Sequence, residues 1–105
     1  MLKWLDGLVP RARAKCIVKI ERLGELGHEL RRPEADYLRD DIYELRIAYQ
    51  GQQYRILYFF HGRTAAVVSH GLVKERRVPP REIDLAIQKK EQFEQRPEQH
   101  TFAQE

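Results

Sequence analysis

Residues 43–60 read YELRIAYQGQQYRILYFF, and the period of this stretch decides the fold. Tyr43, Leu45, Ile47 and Tyr49 alternate with Glu44, Arg46 and Ala48; Tyr54, Ile56, Tyr58 and Phe60 alternate with Arg55, Leu57 and Phe59. A period of two belongs to strands, whose successive side chains point to opposite faces. The break between the runs, 50–53, holds Gly51, which reaches positive φ without strain, so the stretch reads as a hairpin. With Gly51 and Gln52 as the loop, Arg46 faces Leu57 and Ala48 faces Arg55. The two arginines are then diagonal neighbours on one face. The opposite face collects the aromatic and branched residues and is expected to receive the helices. Like charges this close are costly unless an anion or an acidic partner sits between them, which makes the pair more informative than scattered bases.

Outward from the hairpin, His61-Gly62-Arg63 marks a second turn and residues 64–73 a third strand, closed by Pro79-Pro80. A two- or four-residue second loop places Ala66, Val68, His70, Leu72 and Lys74 on the arginine face, and a three-residue loop reverses them. The first option is expected, since it gathers Arg46, Arg55, His70 and Lys74 on one surface. Residues 80–95 return to helical spacing, with Ile83, Ala86, Ile87, Lys90 and Phe93 on one stripe. Upstream, Leu2, Leu5, Leu8 and Val9 mark a short helix. Pro10 suits the first turn of a second, along which Arg13, Cys16, Ile17, Ile20, Leu23 and Leu26 recur until Gly24 or Gly27 ends it. Cys16 reads as core. Residues 28–41 are polar, contain Pro33 and lack a sustained period, so they read as a connection. The expected architecture is α+β: an N-terminal helical hairpin, a three-stranded antiparallel meander and a C-terminal helix. It forms one domain over 1–95 with a flexible tail over 96–105.

A chain of 105 residues suits one domain, and it buries roughly 65% of its unfolded surface, enough for one core without staples. One cysteine forms no internal disulfide and no zinc knuckle. No apolar run approaches a membrane span, and the N-terminus does not read as a signal peptide, so a cytoplasmic, non-membrane protein is expected. The net charge is only +3, but residues 46–81 carry seven bases against Glu75, a balance of +6, leaving −3 elsewhere. Such asymmetry points to a phosphate-bearing partner. RNA cleavage through the ribose 2′-OH needs a base, cations for the phosphorane-like charge and a proton donor to the leaving oxygen. Arg46 and Arg55 suit the phosphate, while His70 and Lys74 suit the proton transfers if neighbouring cations lower their pKa values. Arg63, Arg76, Arg77 and Arg81 are candidates for contacts to the RNA backbone. The basic segment holds no set of metal ligands, so neither metal nor cofactor is expected.

In order along the chain, LGELGHELRRP (23–33), YELRI (43–47), QYRILYFF (53–60), HGLVK (70–74) and PREI (80–83) resemble the RelE/HigB-like toxins, in particular their phage-derived branch. The resemblance runs from about Trp4 to Phe93. It implies a compact α+β fold and a metal-independent mRNA endoribonuclease (mRNA interferase) that inhibits translation on the ribosome, as the toxin component of a type II toxin-antitoxin system. It also implies a cognate antitoxin, often of helix-turn-helix type, as the binding partner. By position, the family's basic residue on the first hairpin strand matches Arg46, its YR-I arginine Arg55, and its lysine after the HGx-V segment Lys74. Two departures stand out. Relatives begin with a strand where this chain reads as helix, leaving a sheet edge for a homodimer or an antitoxin, and they carry a second base where Glu75 stands. Other classes on the same scaffold are a non-enzymatic, ParE-like gyrase inhibitor and a non-toxic binding module.

Overall fold

The computed structural model describes residues 2–62, 65–73 and 77–95, with the side chain of Leu2 left aside. Arg63, Thr64, Lys74, Glu75, Arg76 and the expected tail over 96–105 lie outside them. The chain is α+β, in the order α1 (Leu2–Asp6), α2 (Pro10–Leu26), a short 3-10 turn (Gly27–Glu29), β1 (Ala35–Arg39), β2 (Ile42–Tyr49), β3 (Gln52–His61), β4 (Ala65–Val73) and α3 (Pro80–Gln95). Pro10 occupies the first turn of α2, where its missing N–H is no loss. Gly27, at φ 54°, ends it and donates to the Leu23 carbonyl. The buried stripe of α2 is Ala12, Cys16 and Leu23, whereas Ile17 stays exposed. Cys16 lies in the core as its spacing predicts, and burial pushes its thiol up to about 11.

The sheet is antiparallel, in the order β1-β2-β3-β4, with one strand more than the expected meander. The extra strand, β1, lies inside the polar connection. It is a five-residue edge strand, irregular after Tyr37, and it leaves the second half of β2 uncovered. Its turn into β2 places Asp40 and Asp41 at φ 51° and 64°. Short, charged and kinked strands are how natural sheets blunt their edges, and they are also what a period-two search passes over.

The β2–β3 turn is Gln50-Gly51, at φ 49° and 78°, the left-handed pair of a type I′ hairpin. The register is therefore two residues from the expected one, and Arg46 pairs directly with Arg55. Because the shift is even, both arginines keep their common face. The Arg46 N–H points out of the hairpin and donates to the Glu34 carbonyl at 2.8 Å. Arg46 and Arg55 thus form a non-hydrogen-bonded pair, the geometry in which facing side chains approach most closely.

The β3–β4 loop has three residues, since His61 pairs with Ala65, rather than two or four. Ala66 and Val68 consequently join the α2 face. A bulge opposite Leu57 and Tyr58 then inserts Ser69 and returns His70 and Leu72 to the arginine face. Two deviations from the expected register cancel at His70.

Helices cover both faces of the sheet, not one. α1 and α2 pack Leu5, Cys16 and Leu23 on Leu45, Ile47, Ile56 and Tyr58. α3 packs Ile83, Ala86 and Phe93 on Ile42, Leu57, Phe59 and Leu72, the arginine face. The uninterrupted burial of Arg55 to Phe59 follows, as for any central strand covered on both sides. Trp4 of α1 lies over Gly71 of β4, where an added Cβ would come within 2.4 Å of the indole. Gly71→Ala is expected to lower stability by about 1–3 kcal/mol through overpacking. In the Trp4→Ala background the same change should cost much less, a coupling that a double-mutant cycle in urea reads directly.

A cationic cleft at the open edge of the sheet

Beyond the start of β1, the free edge of β2 meets α2, and an open cleft of about 840 Å³ lies between them. Its walls carry Lys15, Lys19, Arg46, Arg55 and Arg77 against two carboxylates, Glu34 and Glu44. Such a surplus of cations around one concavity focuses a field that attracts anions. The cations come from three regions that only folding brings together: the exposed side of α2, the β2–β3 hairpin and the segment before α3.

The pair at the floor of the cleft is arranged around Glu44, only 2% exposed. Arg55, 7% exposed, donates from Nη1 to Glu44 Oε1. Arg46 donates from Nε to the same oxygen at 3.3 Å and from Nη2 to Asp36 Oδ2 at 3.1 Å. Glu44 is the acidic partner that lets two guanidinium groups share one face, and sequence reasoning passes over it as a polar position in a strand. Its placement two residues before Arg46, on the same face, is the available signal. Arg55 Nε is buried with no acceptor among the described residues.

At the rim, Lys15 donates from Nζ to the Ala48 carbonyl at 3.0 Å, capping an unpaired position of the β2 edge. Glu34 accepts from Arg22 Nε at 2.7 Å and from Lys19 Nζ at 2.9 Å. These bonds, Arg22 first, hold the Glu34 carboxyl down at about 2 and fasten the segment before β1 to α2.

His70 shares the arginine face but does not line the cleft. Its Nε2 lies 3.0 Å from Glu82 Oε1 in the first turn of α3, and its Nδ1 lies 2.8 Å from Ser69 Oγ. A neutral ring donating to Glu82 and accepting from Ser69 satisfies both contacts. Burial lowers its pKa, against the opposing bond from Glu82, so the neutral ring dominates at pH 7. The lowering comes first from desolvation, with Lys89 adding to it, and not from the arginine pair expected to cause it. Arg77 lines the cleft, whereas Arg81 is exposed outside it with Nε 3.7 Å from Glu82 Oε2. Lys74, Arg63 and Arg76 lie outside the described residues. Among the described residues, no three His, Cys, Asp or Glu side chains gather as a metal site, and no helix is long and apolar enough to cross a membrane.

The family model described as phage-derived protein Gp49-like (DUF891) matches residues 3–91, most of the chain and every element from α1 into α3. No curated protein matches.

Proposed function

The chain belongs to the phage-derived Gp49-like family, whose members are toxin-like proteins of RelE/HigB type, and from that premise we propose that it is the toxin of a type II toxin-antitoxin module and cleaves RNA at the cationic cleft. The observation that carries the reading is the convergence of five cations on one open concavity with a buried, unsatisfied guanidinium nitrogen at its floor. In this reading the ribose 2′-oxygen attacks the adjacent phosphorus. A 2′,3′-cyclic phosphate forms and the 5′-oxygen leaves with a proton. Arg46 grips the non-bridging oxygens from its half-exposed position, and Arg55 adds charge from beneath. Lys74 and His70 carry the proton transfers; for His70, substrate must take the place of Glu82. Arg77 in the cleft, with Arg63, Arg76 and Arg81, guides the flanking phosphates. The substrate is mRNA on the ribosome, the setting is the cytoplasm, and the inhibitor is an antitoxin of helix-turn-helix type.

The engagement of His70 with Glu82 and of Arg55 with Glu44 favours a second reading, a toxin that binds without cleaving. Expression without an antitoxin separates the two. Growth arrest with new mRNA 5′ ends is expected, and Arg46→Ala should remove both by about 10²-fold or more in cleavage rate while the protein stays folded. Arg55→Lys, which keeps a charge for Glu44 but loses the fork, is the cleaner probe of the buried position, because Arg55→Ala takes from a buried carboxylate the nearer of its two cations. Arrest with a DNA-damage response and intact mRNA would select the gyrase-inhibitor class. Abundant, harmless wild-type protein would leave only a binding module.

A further inference from the structure

On the other side of the segment before β1 lies a second cleft, of about 540 Å³, lined by His28, Arg31, Arg32, Asp36, Tyr37 and Tyr43 among others. A ladder of aromatic rings leads into it from the core. Tyr58, 1% exposed, stacks on Tyr43 with centroids 5.4 Å apart and planes 18° apart. Tyr43 meets Tyr37 edge-on at 5.2 Å. The ladder ends there: Tyr37 is 50% exposed and has no further ring beyond it among the described residues. Its hydroxyl is held by the Asp41 N–H at 3.1 Å, so the exposed ring is fixed rather than free to swing. Two exposed arginines, Arg31 and Arg32, stand on the same wall.

Asp36, which lines the aromatic cleft, is bonded to a residue of each cleft. One carboxylate oxygen accepts from Arg46 at the floor of the cationic cleft, and the other lies 3.0 Å from Arg32 Nε in the aromatic one. A strand whose phosphate sits at Arg46 and which rounds the β1 edge at Asp36 reaches, on the opposite face, a surface that combines a fixed aromatic ring with cations. That combination is how single-stranded nucleic acid is held: bases stack on rings and phosphates track the positive charge.

Resting on the RNA reading of the cationic cleft, we propose that the aromatic cleft is a nucleobase subsite, in which an unpaired base of the substrate stacks on Tyr37 while Arg31 and Arg32 hold its phosphate. The subsite extends the footprint of the protein beyond the phosphate at Arg46 and favours single-stranded over duplex RNA, since only an unstacked base reaches Tyr37.

The test compares two probes that cannot be cleaved: a 2′-O-methylated adenylate hexamer and an abasic hexamer with the same phosphates. Calorimetry on the wild-type chain should show the adenylate binding about tenfold tighter than the abasic strand, and Tyr37→Ala should abolish that difference while leaving abasic binding unchanged. Tyr37→Phe, which keeps the ring, should retain it, and circular dichroism checks that each variant is folded. Equal affinity of the two probes for the wild-type chain, or a preference that survives in Tyr37→Ala, overturns the subsite and leaves the cationic cleft standing. Failure of both probes to bind overturns the cleft reading and the subsite together.

Discussion

Glu44→Ala should cost about 3–5 kcal/mol of folding stability, because it leaves the Arg55 guanidinium charged and buried with nothing to neutralise it. Glu44 and Arg55 are both almost excluded from water, and Arg46 draws on the same carboxylate oxygen. The loss therefore removes the counter-ion of two cations that face each other across a close strand pair. Glu44→Gln supplies an amide oxygen for one donor but no charge, and it should fall between the wild type and alanine. Urea unfolding measures the series. Replacing Glu44 and Arg55 together by apolar residues of similar volume is expected to recover much of the loss, as desolvation of both charges is then avoided. A Glu44→Ala variant within about 0.5 kcal/mol of the wild type would show that Arg55 finds another partner and that Glu44 is not the pivot of the cluster.

Phe93→Ala should be equally severe, about 3–5 kcal/mol, by opening a cavity beneath α3. Phe93 is buried in the last turns of the helix and meets Phe59 at a centroid distance of 5.7 Å and His61 at 4.9 Å. The Lys89 Nζ bond to the Ser69 carbonyl and the Glu82 contact to His70 lie nearer the start of the helix, but both are polar and partly exposed. Without the ring, α3 loses its main apolar anchor at this end of the face. Amide exchange should therefore rise first in residues 88–95 and only later in β2 and β3. Uniform acceleration through the sheet would instead indicate that α3 and the sheet unfold as one unit.

Where the sequence speaks clearly, it does so through periodicity. Alternation over 43–60 places Arg46 and Arg55 on one face in either even register, so their shared face is robust to the two-residue error in the turn. Pro10, Gly27 and Gly51 punctuate the chain because their backbone chemistry admits few alternatives. Leu57 and Phe59 on the arginine face, together with the apolar stripe of α3, are the signal that a second helical layer sits there, and reading them as the less apolar side of a one-sided sheet misses it. Two features offer no such signal. β1 carries its strand character in five residues beside a proline, too short for a period. The bulge at Ser69 is an extra residue whose location depends on what His70 and Leu72 find to pack against on the α3 side.

What the sequence alone determines about this protein is its class, its helical ends, the shared face of Arg46 and Arg55 and the placing of Cys16 in the core, because each follows from local geometry and the burial of apolar side chains. What only the tertiary structure decides is which charges are neutralised and which remain open to a ligand. Glu44 beneath Arg55, Glu82 against His70, Lys19 against Glu34 and Lys15 on the Ala48 carbonyl are pairings across 11, 12, 15 and 33 residues of chain. Electrostatic energy depends on distance and burial in space, and neither is a property of position along the chain.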